Sequence, residues 1–82
     1  MSDAELRALL LDCLSLWGIP GHVEARDEGL AVNGAYLVER APADMRPVRW
    51  LLHRPGRGPR PAPSIGALLT ALRNALTAEA QS

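Results

Sequence analysis

The residues of this 82-residue chain that are best suited to chemistry are five arginines that lie close together in its second half. No acidic residue occurs among them, and a tryptophan and a histidine accompany them. The predicted partner-binding set is Arg46, Arg49, Trp50, His53, Arg54, Arg57 and Arg60. A guanidinium group makes planar, bidentate contacts to carboxylates and phosphates. The cluster therefore predicts a surface for an anionic partner, either an acidic protein groove or a nucleic acid.

The charge of the chain is split between its halves although it sums to zero. Residues 1–45 hold three arginines and eight acidic residues, whereas residues 46–82 hold six arginines and one acidic residue, which gives formal charges of −5 and +5. Such asymmetry steers a charged partner. The sequence leaves open a second interpretation, in which the two halves neutralise each other across the fold.

Catalytic and metal-binding chemistry has little support. His22 and His53 are the only histidines and Cys13 is the only thiol. Cys13 falls on the apolar stripe of a predicted helix, where a thiol behaves as a small hydrophobe. A zinc site needs three or four clustered ligands, and the sequence has no close pair of histidines or cysteines. We therefore expect a chain that is not an enzyme and that has no metal site and no cofactor.

A first helix is predicted from Asp3 to Trp17. The run Ser2-Asp3-Ala4-Glu5 is a capping box, in which the Ser2 hydroxyl and the Glu5 carboxylate each accept from the other's backbone N–H. Apolar residues follow at three- and four-residue spacing. Gly18 is placed to end the helix.

Three strands follow in the prediction, at about residues 22–26, 30–40 and 48–54. Asn33-Gly34 is a strong hairpin signal inside the second of them. Only three residues separate it from the preceding turn, so we favour one strand with a bulge over a separate short hairpin arm. In the third strand, alternation places Trp50 on the core side with Val48 and Leu52.

The Pro/Gly/Arg-rich segment 55–63 is predicted to be an extended, solvated loop. Ser64 then caps a second helix whose apolar stripe begins at Ile65. The predicted fold is α+β, in the order α-β-β-β-α, with a three-stranded antiparallel meander and two helices packed on one face. One domain spans residues 1–82. Double-stranded RNA-binding domains share this order, but the Lys-rich start of their second helix is absent from residues 63–68.

Tyr36 and Leu51 are expected on the open face of the sheet. There they would form an apolar patch that needs a partner, and a second copy of this small chain is one option. A single cysteine cannot form an internal disulfide, which favours a reducing compartment such as the cytoplasm. The sequence shows no membrane span and no basic leader, so we expect no membrane partner.

These observations predict a small non-catalytic protein-binding module, an adaptor or an inhibitor with an acidic partner. Its size and type are those of proteins encoded by phages and mobile elements, among which anti-CRISPR inhibitors fall. Direct RNA or DNA binding by the same arginines is the alternative.

Overall fold

A computed structural model describes the backbone of residues 1–81 and the side chains of residues 1–78. Along the chain, five strands and one short 3-10 helix, Ala43–Met45, lie between two helices. The elements are α1 Asp3–Leu16, β1 Val23–Ala25, β2 Leu30–Val32, β3 Tyr36–Arg40, β4 Trp50–His53, β5 Arg60–Ala62 and α2 Ile65–Gln81. The strands form one antiparallel sheet in the order β1-β2-β3-β4-β5. The α+β class is therefore confirmed, whereas the three-stranded meander is wrong, because the sheet has five strands.

The first additional strand arises at Asn33-Gly34, where the favoured bulge is wrong. Both residues have positive φ, 55° and 72°, as the type I′ turn of a tight hairpin requires. The Ala35 N–H donates to the Val32 carbonyl at 3.2 Å and closes the turn. Turn chemistry therefore divides the segment into β2 and β3, although β2 is only three residues long.

The second additional strand lies in the segment that the sequence predicts to be a loop. Arg60–Ala62 pairs antiparallel with β4, in a register that sets Pro61 opposite Leu51. β5 is one edge of the sheet, which is where a strand tolerates a proline without a backbone N–H. The loop prediction for residues 55–63 is therefore wrong for Arg60–Ala62 and holds for the rest of the segment.

One face of the sheet packs on both helices and forms the core. Cross-strand partners share a face, so the registers Leu30 with Val38 and Val38 with Leu52 place these three side chains together. The helices contribute a leucine stripe to the same cluster: Leu6, Leu10, Leu14, Leu68, Leu72 and Leu76. Helix α1 lies against β1, whereas α2 lies against β4 and β5, so each helix covers one end of the sheet.

The capping box of α1 is confirmed. The Ser2 Oγ accepts from the Glu5 N–H and the Glu5 Oε1 accepts from the Ser2 N–H, both at 3.1 Å. These hydrogen bonds, the one to the Ser2 backbone first, lower the pKa of Glu5. Gly18 adopts φ of 69° directly after the helix, as expected of a residue that ends it.

Arg40 joins the start of α1 to the sheet. Its guanidinium lies 5.1 Å from the centroid of the Trp50 ring and 3.3 Å from the Asp3 carboxylate, and it donates to the Met1 carbonyl. A cation over an indole face is attracted by the ring quadrupole. This contact links residues that are far apart in sequence and holds one side of Trp50 in place.

Both edges of the sheet carry an obstruction to further strand pairing. At the β1 edge, the Arg7 Nε donates to the Val23 carbonyl at 3.1 Å. At the β5 edge, Pro61 has no N–H to offer. Charged side chains and prolines at edges are the usual means of preventing strand addition.

Two leucines of α1 that differ in exposure, Leu10 and Leu16, provide a test of the packing. Leu10 is 0% exposed and Leu16 is 84% exposed. We expect Leu10→Ala to lower the free energy of unfolding by about 2–5 kcal/mol, since it leaves a cavity in the core. Leu16→Ala should change it by less than about 0.5 kcal/mol. Urea unfolding followed by circular dichroism measures both, and equal losses would contradict this core assignment.

Gly29 provides a second test, because the β1–β2 turn passes very close to β3. A Cβ at Gly29 would lie 2.1 Å from the Val38 carbonyl oxygen, whereas a Cβ at Gly58 would meet nothing within 4 Å. We expect Gly29→Ala to destabilise the fold by about 1–3 kcal/mol, as overpacking does. Gly58→Ala is the matched control and should retain the midpoint of thermal unfolding. A tolerated Gly29→Ala would show that the turn lies further from β3.

Candidate binding surfaces

Strand β4 distributes the predicted site residues between two sides of the molecule. Trp50 and Leu52 point into the core and are 7% and 0% exposed. Leu51 and His53 point to the opposite side, where they are half-buried. The alternation expected for this strand is therefore present, and it separates residues that are neighbours in sequence.

The open sheet face is the side that the helices leave uncovered. It consists of Glu24, Ala31, Leu37, Glu39, Leu51, His53 and Pro61, together with Arg49 beyond the start of β4. Leu37, Leu51 and Pro61 give this face an apolar centre. The position predicted for Leu51 is correct, and the sequence analysis missed Leu37, its diagonal neighbour across the β3–β4 pair.

Tyr36 lies on the covered face, and its expected place on the open face is wrong. It pairs with Val32, a core residue, and is only 5% exposed. Its hydroxyl donates to the Ala75 carbonyl of α2 at 3.5 Å. The hairpin turn at Asn33-Gly34 determines the face on which Tyr36 lies, because it sets which β3 residue pairs with Val32. A tyrosine supplies both an apolar ring for the core and a hydroxyl for the helix.

His53 has a carboxylate neighbour on the open sheet face. Its Nε2 lies 3.4 Å from the Glu39 Oε1, and both side chains are partly exposed. Arg49, two residues before Leu51 and on the same side by alternation, is exposed. The open sheet face therefore carries both signs of charge around its apolar centre, instead of a continuous positive field.

Three of the predicted arginines meet on the other side, at a cleft between the β4–β5 connection and α2. We call this the arginine cleft. It has a volume of about 460 Å³. Its lining is Tyr36, Arg54, Pro55, Arg57, Arg60, Ala71, Asn74, Ala75 and Ala78. Arg54 extends from the end of β4, Arg60 begins β5, and Arg57 lies between them, so the antiparallel pairing of the two strands brings the three together.

Arg54 is the innermost of the three. Its Nη2 donates to the Gly58 carbonyl at 3.2 Å, which fixes the direction of the side chain. Its Nε is buried and has no hydrogen-bond partner among the described residues. A buried donor without an acceptor is costly. Arg57 and Arg60 are exposed. Within the described residues, no carboxylate lines the cleft.

The five clustered arginines have no carboxylate partner within 4 Å among the side chains of residues 1–78. The ion pairs of arginine in that range are Arg26 with Glu24 and Arg40 with Asp3, both within the acidic half. Among the described side chains, direct ion pairing thus does not neutralise these five arginines, which favours the steering interpretation of the charge split.

Two members of the predicted set differ from the rest. Trp50 is buried beneath Arg40, so it supports the surface from within instead of contacting a partner. Arg46 is exposed in the segment between the 3-10 helix and β4, away from the cleft lining. Arg49 and Arg46 therefore flank one end of β4, and the cleft arginines lie at its other end.

Cys13 is buried in α1, and that burial raises the pKa of its thiol, with the Asp12 charge adding to the effect. A raised pKa keeps the thiol protonated and poorly nucleophilic. Among the described residues, no group of three or more His, Cys, Asp or Glu side chains is placed to hold a metal ion. Neither helix, as far as it is described, has the length and apolar character needed to cross a membrane.

Comparisons with known proteins leave the geometry as the guide to function. No protein-family model matches the chain, and neither the curated proteins nor the solved structures show a significant similarity to it.

Proposed function

We propose that this chain is a non-catalytic protein-binding module, an adaptor or an inhibitor, that recognises an acidic surface through its arginine-bearing hairpin. This hairpin comprises β4, β5 and their connection, with Arg46 and Arg49 before it. The observation that carries the proposal is that none of its five guanidinium groups has a described carboxylate within 4 Å. Guanidinium groups without an ion-pair partner attract a complementary partner and raise its association rate.

The open sheet face supports the proposal by offering apolar area next to that charge. Leu37 and Leu51 are half-buried and Pro61 is exposed, so a docked chain would remove further apolar surface from water. Arg49 stands at the margin of this patch. An apolar centre with charged residues at its rim is the usual anatomy of a protein interface. A second copy of the chain is one partner that such a face accommodates.

Nucleic acid is the alternative partner, since phosphates pair with arginine as carboxylates do. The open sheet face disfavours it, because Glu24 and Glu39 lie there and would repel a phosphate backbone. The net charge of zero also differs from the strongly basic charge that nucleic-acid-binding domains usually have.

Affinity capture with matched baits tests the proposed function. We expect the wild-type chain to capture a specific protein from lysate of its native host. A triple variant, Arg49→Ala with Arg57→Ala and Arg60→Ala, should weaken binding of that purified protein by about tenfold or more, since interface arginines often cost over 1 kcal/mol each. All three side chains are exposed, so folding should be retained. Arg73→Ala removes one exposed charge from α2 outside the cleft and serves as the control.

Unchanged capture by the triple variant would contradict the proposed role of these arginines. Circular dichroism of each bait shows whether a loss of binding reflects unfolding, and size-exclusion chromatography with light scattering shows whether the captured chain is a second copy.

A mobility-shift assay separates protein binding from nucleic-acid binding. We expect no specific shift of generic duplex RNA or DNA by the wild-type chain at physiological salt. A shift whose log affinity falls with log salt by about 0.7–0.9 per phosphate contacted would support the nucleic-acid alternative instead.

A further inference from the structure

The arginine cleft has the features of a small-ligand site in addition to those of a protein-docking edge. We infer that it binds a phosphate dianion, either free or as the monoester of a small organic molecule, through Arg54, Arg57 and Arg60. This inference goes beyond the proposed function, because the anion would bind whether or not a protein partner is present.

The charge of the cleft is the first argument. Three arginine residues line one groove of about 460 Å³, and no carboxylate among the described side chains lines it with them. Like charges that share one groove repel each other. An anion bound among them removes that repulsion and takes up their N–H donors at once. Such a convergence is what a multiply charged anion requires.

The buried donor of Arg54 is the second argument. The Nε–H of this residue is enclosed and has no acceptor among the described residues, while the Nη2 of the same group donates to the Gly58 carbonyl. An anion in the cleft reaches Nε only after a small shift of the side chain. The hydrogen bond that then forms gives a partner to a buried donor that otherwise lacks one, which offsets the cost of the shift.

The number of donors favours a phosphate dianion over a carboxylate. A carboxylate has two oxygens and one charge, so it leaves at least one of three arginines without a full partner. A phosphate monoester carries about −1.5 to −2 charges at pH 7 and three strong acceptor oxygens. A phosphodiester of a nucleic-acid backbone has a single charge and two free oxygens, and it therefore fits this cleft less well.

The opposite wall of the cleft provides room for the rest of a small molecule. Ala71, Ala75 and Ala78 of α2 line it with small side chains, and Asn74 adds one amide between them. The volume of about 460 Å³ lies in the range of roughly 300–1,000 Å³ typical of small-molecule pockets. An apolar body beside the phosphate would lie on these alanines, with Asn74 available for one hydrogen bond.

Titration followed by NMR tests the inference on the isolated full chain. The probes are inorganic phosphate and glycerol 3-phosphate, added at constant ionic strength and pH 7.5 against sodium chloride. We expect a saturable shift of the Arg54 Nε–H signal with both phosphates and none with chloride. Tighter binding of glycerol 3-phosphate identifies an organic phosphate as the ligand class, whereas equal affinities identify the free ion. Dimethyl phosphate, a diester with a single charge, should bind at least about tenfold more weakly.

Variants outside the arginines keep the test independent of the integrity of the hairpin. Asn74→Glu places a carboxylate in the cleft from an exposed position of α2 and should weaken phosphate binding by about tenfold or more. Arg73→Ala, the neighbouring exposed charge outside the cleft, should leave the affinity unchanged, and the dispersion of backbone amide signals reports folding of both.

The inference is overturned if the Arg54 signal does not move, if chloride or dimethyl phosphate reproduces the shift, or if Asn74→Glu binds phosphate as the wild type does. No protein partner is present in this titration. Failure of phosphate binding therefore leaves the proposed protein-binding function unaffected, and failure of partner capture leaves the phosphate site unaffected.

Discussion

The alternation of side chains along β4 is the constraint on which both the core and the candidate surfaces depend. Because successive residues point to opposite faces, Trp50 and Leu52 enter the core only if Leu51 and His53 face outward. A slip of one residue would expose the tryptophan and bury the histidine, so the packing of the helices fixes the register strongly. The same register sets the positions of the arginines that precede and follow β4 in the chain.

Local signals in the sequence were sufficient for the two helices and for β4. The capping box at Ser2 and the leucine spacing of both helices depend on neighbouring residues only, and alternation identifies β4 for the same reason. At Asn33-Gly34, the short distance from the preceding turn favours a bulged strand, whereas the residue types favour a hairpin turn. The structure has the turn, because asparagine and glycine adopt positive φ angles readily. β5 could not be found locally, since an Arg-Pro-Ala strand exists only by pairing with β4.

The candidate surfaces were predictable by residue type and not by location. The sequence identifies the arginines and their lack of acidic neighbours in the chain. The separation of Arg49 from the cleft arginines could not be predicted from the sequence, because it depends on the pairing of β5 and on the position of α2. The same holds for Tyr36, whose face is set by the hairpin turn, and for Arg40, whose contact with Trp50 joins two strands. Long-range pairing converts a basic stretch into two chemically different surfaces.

The obstructed sheet edges have a further consequence for how this small protein behaves when it is abundant. With Arg7 occupying a carbonyl at one margin and Pro61 lacking a donor at the other, neighbouring molecules find no ready template for endless strand-to-strand stacking. Crowded copies therefore have less tendency to grow into fibrils through their backbones. Association through side chains is favoured instead, and side-chain chemistry selects among partners.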